Sequence, residues 1–215
     1  MEDSHTMNVS YRNEREDNMA CKEDEQKNEE EKKEGTATLS NRLLESRIIV
    51  LSGEINQEVA HHTISQLLVL AHESDDDIKM FVQSQGGHVD SGFAIHDIMQ
   101  FIKPRIVTFA LGWVASMGVP IFLGGTEGCR YCLPHTRFMI HQPSQDVLGQ
   151  ASDIEIEAKE ILRIRQRINE LLASATKQPI ERIERDSDRN FWMNADQAKE
   201  YGLVDRIVYS IDDIG

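Results

Sequence analysis

The residues of this chain best suited to chemistry are a serine and a histidine, each at the exit of an apolar run. Ser116 stands in Gly112-Trp113-Val114-Ala115-Ser116-Met117-Gly118, and His141 in Phe138-Met139-Ile140-His141-Gln142-Pro143. A serine hydroxyl attacks a carbonyl only when a base removes its proton, and histidine is the side chain whose basicity suits that task near neutral pH. The residues before the serine, Arg105 to Leu111, read as a buried strand, and Met117 to Leu123 as an apolar helix. Ser116 is thereby expected at a strand-to-helix turn. Such a turn lifts the hydroxyl clear of the backbone and aims the first free N–H groups of the helix at a developing oxyanion. Read alone, a serine in this setting is more often a helix N-cap than a nucleophile.

Its company changes that balance. A second glycine turn, Gln83-Ser84-Gln85-Gly86-Gly87-His88, follows the apolar run Ile78 to Val82. A Gly-Gly pair there either brings a second backbone N–H to the same oxyanion or forms an ordinary βα turn. The order of Gly-Gly turn, then serine, then His-Gln-Pro resembles the ClpP family, the serine peptidases of the Clp proteolytic complexes. The likeness runs over roughly residues 39 to 208. Its pieces are Ser40-Asn41-Arg42-Leu43-Leu44, the run Met99 to Pro104, Ala115-Ser116-Met117-Gly118, Met139-Ile140-His141-Gln142-Pro143, the run Gly149 to Ile156, and Glu200 to Asp205.

The resemblance implies an α/β fold of the ClpP/crotonase-like kind, a repeated ββα superhelix with a long protruding handle helix. It implies an ATP-dependent Clp-type serine endopeptidase, working on unfolded polypeptides inside a barrel of two stacked seven-membered rings. An AAA+ unfoldase ATPase would be its partner. Ser116 and His141 match the family's nucleophile and base, and the backbone N–H groups of Gly87 and Met117 match its oxyanion hole. No metal or cofactor is implied.

The third catalytic position departs from the family. An aspartate usually stands there, whereas Glu184-Arg185-Asp186-Ser187-Asp188-Arg189-Asn190-Phe191-Trp192 puts Asn190 in its place. An asparagine oxygen can accept the histidine Nδ1–H bond but brings no charge to the imidazolium, so a slow peptidase is expected. Asp186 and Asp188 are the alternatives within the same segment. Other departures are Gln85 where the family's turn has proline, Lys79 where an aromatic usually lines the ATPase-docking pocket, and an atypical N-terminus. They make a mixed assembly with a ClpP paralogue an expectation alongside self-assembly. The alternative function is a weakly active or inactive structural or regulatory ring subunit. A crotonase-type acyl-CoA enzyme shares the superfold but needs no Ser/His pair in these motifs.

The elements that must position these groups alternate in the α/β manner. Strands are expected at 47–52, 78–82, 105–111, 129–133, 137–141, 191–193 and 203–208. Helices are expected at 57–72, 91–101, 117–123, 152–175 and 180–188, with another that starts after Asn194 and ends at Gly202. The long helix carries an apolar stripe through Ile154, Ile161, Leu162, Ile168 and Leu172, with Ser152 and Glu155 as its capping box. The family's handle, which interleaves between rings, corresponds to it.

At 215 residues, 40% of them apolar, the chain suits one domain. Residues 1–36 are expected to be an acidic, disordered extension, and 37–215 the peptidase domain. Residues 1–35 hold twelve Asp/Glu and six Lys/Arg, a net of −6 out of −14 for the whole chain. That composition buries too little surface to offset the entropy of ordering. The overall −14 argues against nucleic acid, whose phosphates would repel it. No run approaches the ~18 apolar residues of a membrane helix, and a cytoplasmic protein is the simplest reading. Cys129 and Cys132 sit three apart in a strand-like run, so their side chains are expected on opposite faces rather than in one metal or redox site. His61, His62, His72, His96 and His135 read as surface or core residues, and His88 as a bystander beside the glycine turn.

Overall fold

The computed structural model describes residues 39–143 and 149–214. The chain divides into two units, 1–43 and 44–215. Of the first, what is described belongs to a helical segment over 39–45 (α1); the expectation for residues 1–36 lies outside the described residues.

The second unit alternates strand and helix as expected. Its elements are β1 (Ile48–Ile55), α2 (Gln57–Glu73), β2 (Ile78–Gly87), α3 (Val89–Phe101), β3 (Ile106–Ala115), α4 (Gly118–Leu123), β4 (Arg130–Cys132) and β5 (Arg137–Ile140). There follow α5 (Ala151–Thr176), α6 (Ile180–Asp186), β6 (Phe191–Asn194), α7 (Ala195–Tyr201) and β7 (Arg206–Ile207). The main path of the sheet runs β1-β2-β3-β4-β7 with every neighbouring pair parallel. Parallel strands need crossovers, and α2 and α3 supply the first two. Asn56 starts α2 by accepting the Val59 N–H at 2.8 Å, and Asn194 starts α7 with a reciprocal capping box to Gln197.

The feature that matters for function is a fork in β3. Its first half, Thr108 to Ala110, pairs with β4; its last three residues, Trp113 to Ala115, pair with β5, which also pairs antiparallel with β6. Between Val82↔Ala110 and Ser84↔Val114 the register against β2 slips by two residues, with Gly112 at φ +54 inside the slip. A glycine tolerates that left-handed backbone where a side chain would strain it. The slip turns the end of β3 away from β4 and onto a second partner.

Four expectations differ in detail. The Gly86-Gly87 pair is not a turn after the strand but its end, with Glu54↔Gly86 and Ile55↔Gly87 continuing the β1 pairing beyond a one-residue bulge. The third strand runs to Ala115 rather than Leu111, because β5 pairs with residues that look irregular in sequence. Helix α5 starts at Ala151 with Gln150 as N-cap and no side-chain cap bond; Ser152 lies inside the first turn, and Glu155 pairs with Lys159 at 2.6 Å. The last strand shrinks to Arg206–Ile207, because β4 offers it only Tyr131 and Cys132 as partners.

One continuous core joins β1, β2, β3, β5 and the inner faces of the helices. A smaller cluster of Val107, Phe109, Tyr131 and Val208 covers the opposite face. The two cysteines divide between them: Cys132 belongs to the main core and Cys129 packs against the smaller cluster. Burial pushes the Cys132 thiol up to about 12, with Asp196 adding to the shift, so it stays protonated at neutral pH.

Arg130 ties this fold together. Its side chain, 6% exposed, forks onto both oxygens of Asp205 at 2.9 and 3.1 Å and donates to the Ala175 carbonyl at 3.1 Å, joining β4, the end of α5 and the approach to β7. Breaking a buried pair leaves a charge without its partner, at a cost of about 3–5 kcal/mol. Asp205→Ala is therefore expected to lower the stability by that amount, measured as a shift of the urea midpoint at unchanged m-value.

Helix α5 is the element least covered by the rest. Its first ten residues are all exposed, including Ile154 and Ile156, and Leu162 follows at 62% exposure; only from Ile161 onward does it begin to pack, with Ile168 and Leu172 in the core. Among the described residues no helix is long and apolar enough to cross a membrane.

Candidate active site

Three neighbouring strand ends build the site. Strand β3 ends at Ala115 and β5 at Ile140, and the pairs Trp113↔Arg137, Val114↔Phe138 and Ala115↔Met139 set them side by side in parallel. The Ser116 N–H donates to the Met139 carbonyl at 2.9 Å, which carries the ladder one step further. Ser116 and His141 thus leave adjacent strands at the same edge. The His141 Nε2 lies 2.8 Å from the Ser116 Oγ. In the tautomer with the proton on Nδ1, the serine hydroxyl donates to Nε2, which is the arrangement a general base requires.

Ser116 sits at φ +52, a left-handed conformation that a non-glycine residue adopts at a cost of about 1–3 kcal/mol. The turn between β3 and α4 forces it there and presents the hydroxyl outward, as the sequence suggested. The packing beneath is tight. A Cβ added to Gly86 would come within 2.6 Å of the Ser116 Cβ and 2.9 Å of the Met117 nitrogen. Only glycine at 86, itself at φ +94, lets β2 pass this close beneath the serine turn. The sequence marks Gly86 only as part of a Gly-Gly pair; its close approach to Ser116 depends on the pairing of distant strands.

Gly87, Met117, Ser116 and His141 line one cavity of about 220 Å³, whose other walls are Val89, Pro120, Ile140, Pro143, Ile168 and Leu172. The two residues whose N–H groups the family resemblance matches to an oxyanion hole and the serine-histidine pair therefore share one pocket. Its remaining lining is apolar. The larger hollow of about 530 Å³ between the ends of α3 and α5 is lined by Lys103, Arg105 and Lys177 among others and contains none of these residues.

Asn190 lies exposed just before β6. The antiparallel pairs Phe138↔Met193, Met139↔Trp192 and Ile140↔Phe191 close the ladder, so that His141 and Asn190 each lie one residue beyond its last pair. No hydrogen bond joins Asn190 to the His141 ring among the described residues. The two carboxylates nearby are engaged elsewhere. Asp186 accepts from the Tyr201 hydroxyl at 3.1 Å and pairs with Arg182 and Arg185; Asp188 faces Arg165 at 3.7 Å. Burial, reinforced by Asp186, pushes the Tyr201 hydroxyl well above the usual phenol range.

The segment between α6 and β6 is held against the histidine's own strand end. The Gln142 N–H donates to the Ser187 carbonyl at 2.6 Å and its side chain to the Asp188 carbonyl at 2.9 Å, while the buried Ser187 hydroxyl donates to Asn169 of α5 at 3.3 Å. Two further aromatics brace the three strands. Trp113 of β3 and Trp192 of β6 stack at 6.0 Å across β5, with the Arg137 guanidinium 5.1 Å from the Trp192 ring. Among the described residues no group of three or more His, Cys, Asp or Glu could hold a metal ion.

The Clp protease family profile matches residues 31–210. The chain is 51% identical over 180 residues to the ATP-dependent Clp protease proteolytic subunit 3 of Rhizobium etli, covering 84% of this chain and 92% of that one. It is 45% identical over 179 residues to the ATP-dependent Clp protease proteolytic subunit of Paracoccus denitrificans, covering 83% and 90%. A solved structure of an asparagine-to-aspartate mutant of ClpP1 from Listeria monocytogenes matches with a TM-score of 0.77 at 46% identity, over 82% of this chain and 99% of that chain.

Proposed function

The chain belongs to the Clp protease family of serine peptidases, and from that premise we propose that it cleaves unfolded polypeptides and short peptides through Ser116, His141 and Asn190. The observation that carries the reading is the 2.8 Å contact between the histidine Nε2 and the hydroxyl of a serine at a strained strand-to-helix turn. His141 takes the Oγ proton as Ser116 attacks the scissile carbonyl. The backbone N–H groups of Gly87 and Met117 receive the oxyanion, and His141 then passes the proton to the leaving amine. Water, deprotonated by the same histidine, releases the acyl group from Ser116. Asn190 orients the imidazole through its amide oxygen; its place one residue beyond the last ladder pair, as His141 is, supports it over Asp186, which accepts from Tyr201, and Asp188, which faces Arg165 at 3.7 Å. The apolar cavity beside the serine favours an apolar side chain next to the cleaved bond.

Assembly follows from α5. Its exposed Ile154, Ile156 and Leu162 would be costly in a monomer, and burial between two stacked heptameric rings covers them. The assembled particle works as the proteolytic component of an ATP-dependent Clp protease in the cytoplasm, fed by an AAA+ ATPase, alone or mixed with a ClpP paralogue. The peptidase domain spans residues 37–215, and no cofactor, nucleic acid or membrane takes part.

An alkyl fluorophosphonate tests the catalytic reading. The assembled wild-type particle is expected to take up one label per chain on Ser116, with none on Ser116→Ala and much slower uptake on His141→Ala, read by intact-protein mass. An unlabelled wild-type particle would instead point to a ring subunit without activity of its own.

A further inference from the structure

We propose that the buried hydroxyl of Ser84 is a positioning group for the oxyanion hole, holding the Gly86-Gly87 end of β2 against the turn that carries Ser116 and Met117. The inference rests on the reading of the Gly87 and Met117 N–H groups as oxyanion donors.

Ser84 is fully buried at the point where both neighbouring registers slip. On one side β2 has just gained a residue against β1, and on the other β3 has gained two against β2. A strand interrupted in this way loses part of the regular ladder that would otherwise define its path. The segment beyond the bulge also includes two glycines at φ +94 and +146, which have no intrinsic preference for that conformation over others. Something other than strand propensity must set where Gly86 and Gly87 lie.

The Ser84 side chain supplies it. Its hydroxyl donates to the Gly53 carbonyl of β1 at 2.6 Å and accepts the Gly86 N–H at 3.0 Å, so both capacities are used. Gly86 in turn lies directly beneath Ser116 and Met117. A second contact runs to the other side of the same turn. A Cβ placed on Gly118, the first residue of α4, would meet the Ser84 carbonyl at 3.1 Å and the Ser84 Cβ at 3.3 Å. Ser84 therefore touches both backbone segments that provide the candidate donors: the glycine segment by a hydrogen bond, and the Met117-Gly118 turn by close packing. It is 32 residues from Ser116 in sequence (116 − 84) and does not line the catalytic cavity.

Donors to an oxyanion act through their preset position, and loss of one costs about 10²–10³ in rate. Misplacement by about 1 Å costs up to about 10². Removing the Ser84 hydroxyl leaves the Gly86 N–H without this partner and frees the glycine segment to shift against the serine turn. The loss falls on the transition state, because ground-state binding does not depend on the oxyanion donors.

The test uses the full-length assembled protein with Ser84→Ala and Ser84→Cys; the cysteine fills the same space, which protects the fold. We expect kcat on a short fluorogenic peptide to fall about 10- to 100-fold in both variants with KM within about twofold of wild type. The affinity for a peptide boronate, which forms a tetrahedral adduct on a reactive serine, should fall by a similar factor. A lowered melting midpoint with unchanged kcat and boronate affinity would reduce Ser84 to a structural residue and overturn the proposal, as would a rise of KM at constant kcat. Wild-type protein that hydrolyses the peptide no faster than Ser116→Ala would instead overturn the underlying oxyanion-hole reading.

Discussion

Replacing Asn190 with aspartate is expected to raise kcat on a short fluorogenic peptide by up to about 10⁴-fold, with little change in KM. In serine proteases with a full Ser-His-Asp triad, the reverse change costs about that factor, equivalent to roughly 5 kcal/mol of barrier. The reason is electrostatic and tautomeric. When His141 takes the serine proton it becomes a cation, and a neutral amide at position 190 does little to stabilise it. The amide can also present its NH₂ to the ring, favouring the tautomer whose Nε2 already carries a proton and cannot accept another. Aspartate can only accept, so it enforces the productive tautomer and adds the missing charge. The start of β6, next to residue 190, is retained in the variant, because β6 is held by four ladder pairs and by the Trp113–Trp192 stack. The full gain requires that the residue reach Nδ1, and steady-state kinetics on wild type and Asn190→Asp side by side measure how much is realised. An unchanged rate would remove Asn190 from the catalytic reading and return attention to Asp186 and Asp188.

Ser116→Ala is expected to have an effect that depends on which residue occupies 190. In the Asn190→Asp background it should reduce kcat by about 10⁶, since a complete triad works as a unit and loses nearly everything with its nucleophile. With the native Asn190 the same substitution should reduce kcat by only about 10², the ratio of those two factors, because the starting triad already lacks most of its advantage. Both variants should end at the same residual rate, the part supplied by the oxyanion donors and by binding. This convergence is the signature to look for in a double-mutant cycle measured on one peptide. If the two backgrounds lost the same factor, residues 116 and 190 would be acting independently, which a shared histidine does not allow.

Much of the site was legible in the sequence because its chemistry is local in type. A serine framed by small residues after one apolar run, and a histidine ending another, can be recognised without knowing how the runs pair. The α/β alternation, the Asn194 cap of α7 and the separation of Cys129 from Cys132 are likewise properties of short segments, governed by periodicity and capping. What the local signals misjudged were positions where a distant strand overrides them. Gly86-Gly87 has the composition of a turn, yet β1 draws it into the sheet. Gly112 to Ala115 looks like the turn after a strand, yet β5 pairs with its last three residues. The expected cap at Ser152 gives way to a start at Ala151, and nothing in the local sequence around Ser84 marks its hydrogen bonds to Gly53 and Gly86.

The sequence by itself determined the kinds of groups available: a serine, a histidine, glycines able to approach them, an amide where the family resemblance implies a carboxylate, and the α/β order of the elements. Only the tertiary structure decided that the serine, the histidine and Gly87 meet in one cavity. The parallel register Ala115↔Met139 brings the serine and histidine strand ends together, and the antiparallel register Ile140↔Phe191 leaves His141 and Asn190 one residue beyond its last pair. Registers between segments far apart in the chain depend on which strand faces are buried against the common core and on the slips at Gly53, Ser84 and Gly112 that re-aim them. No window of local sequence contains that information.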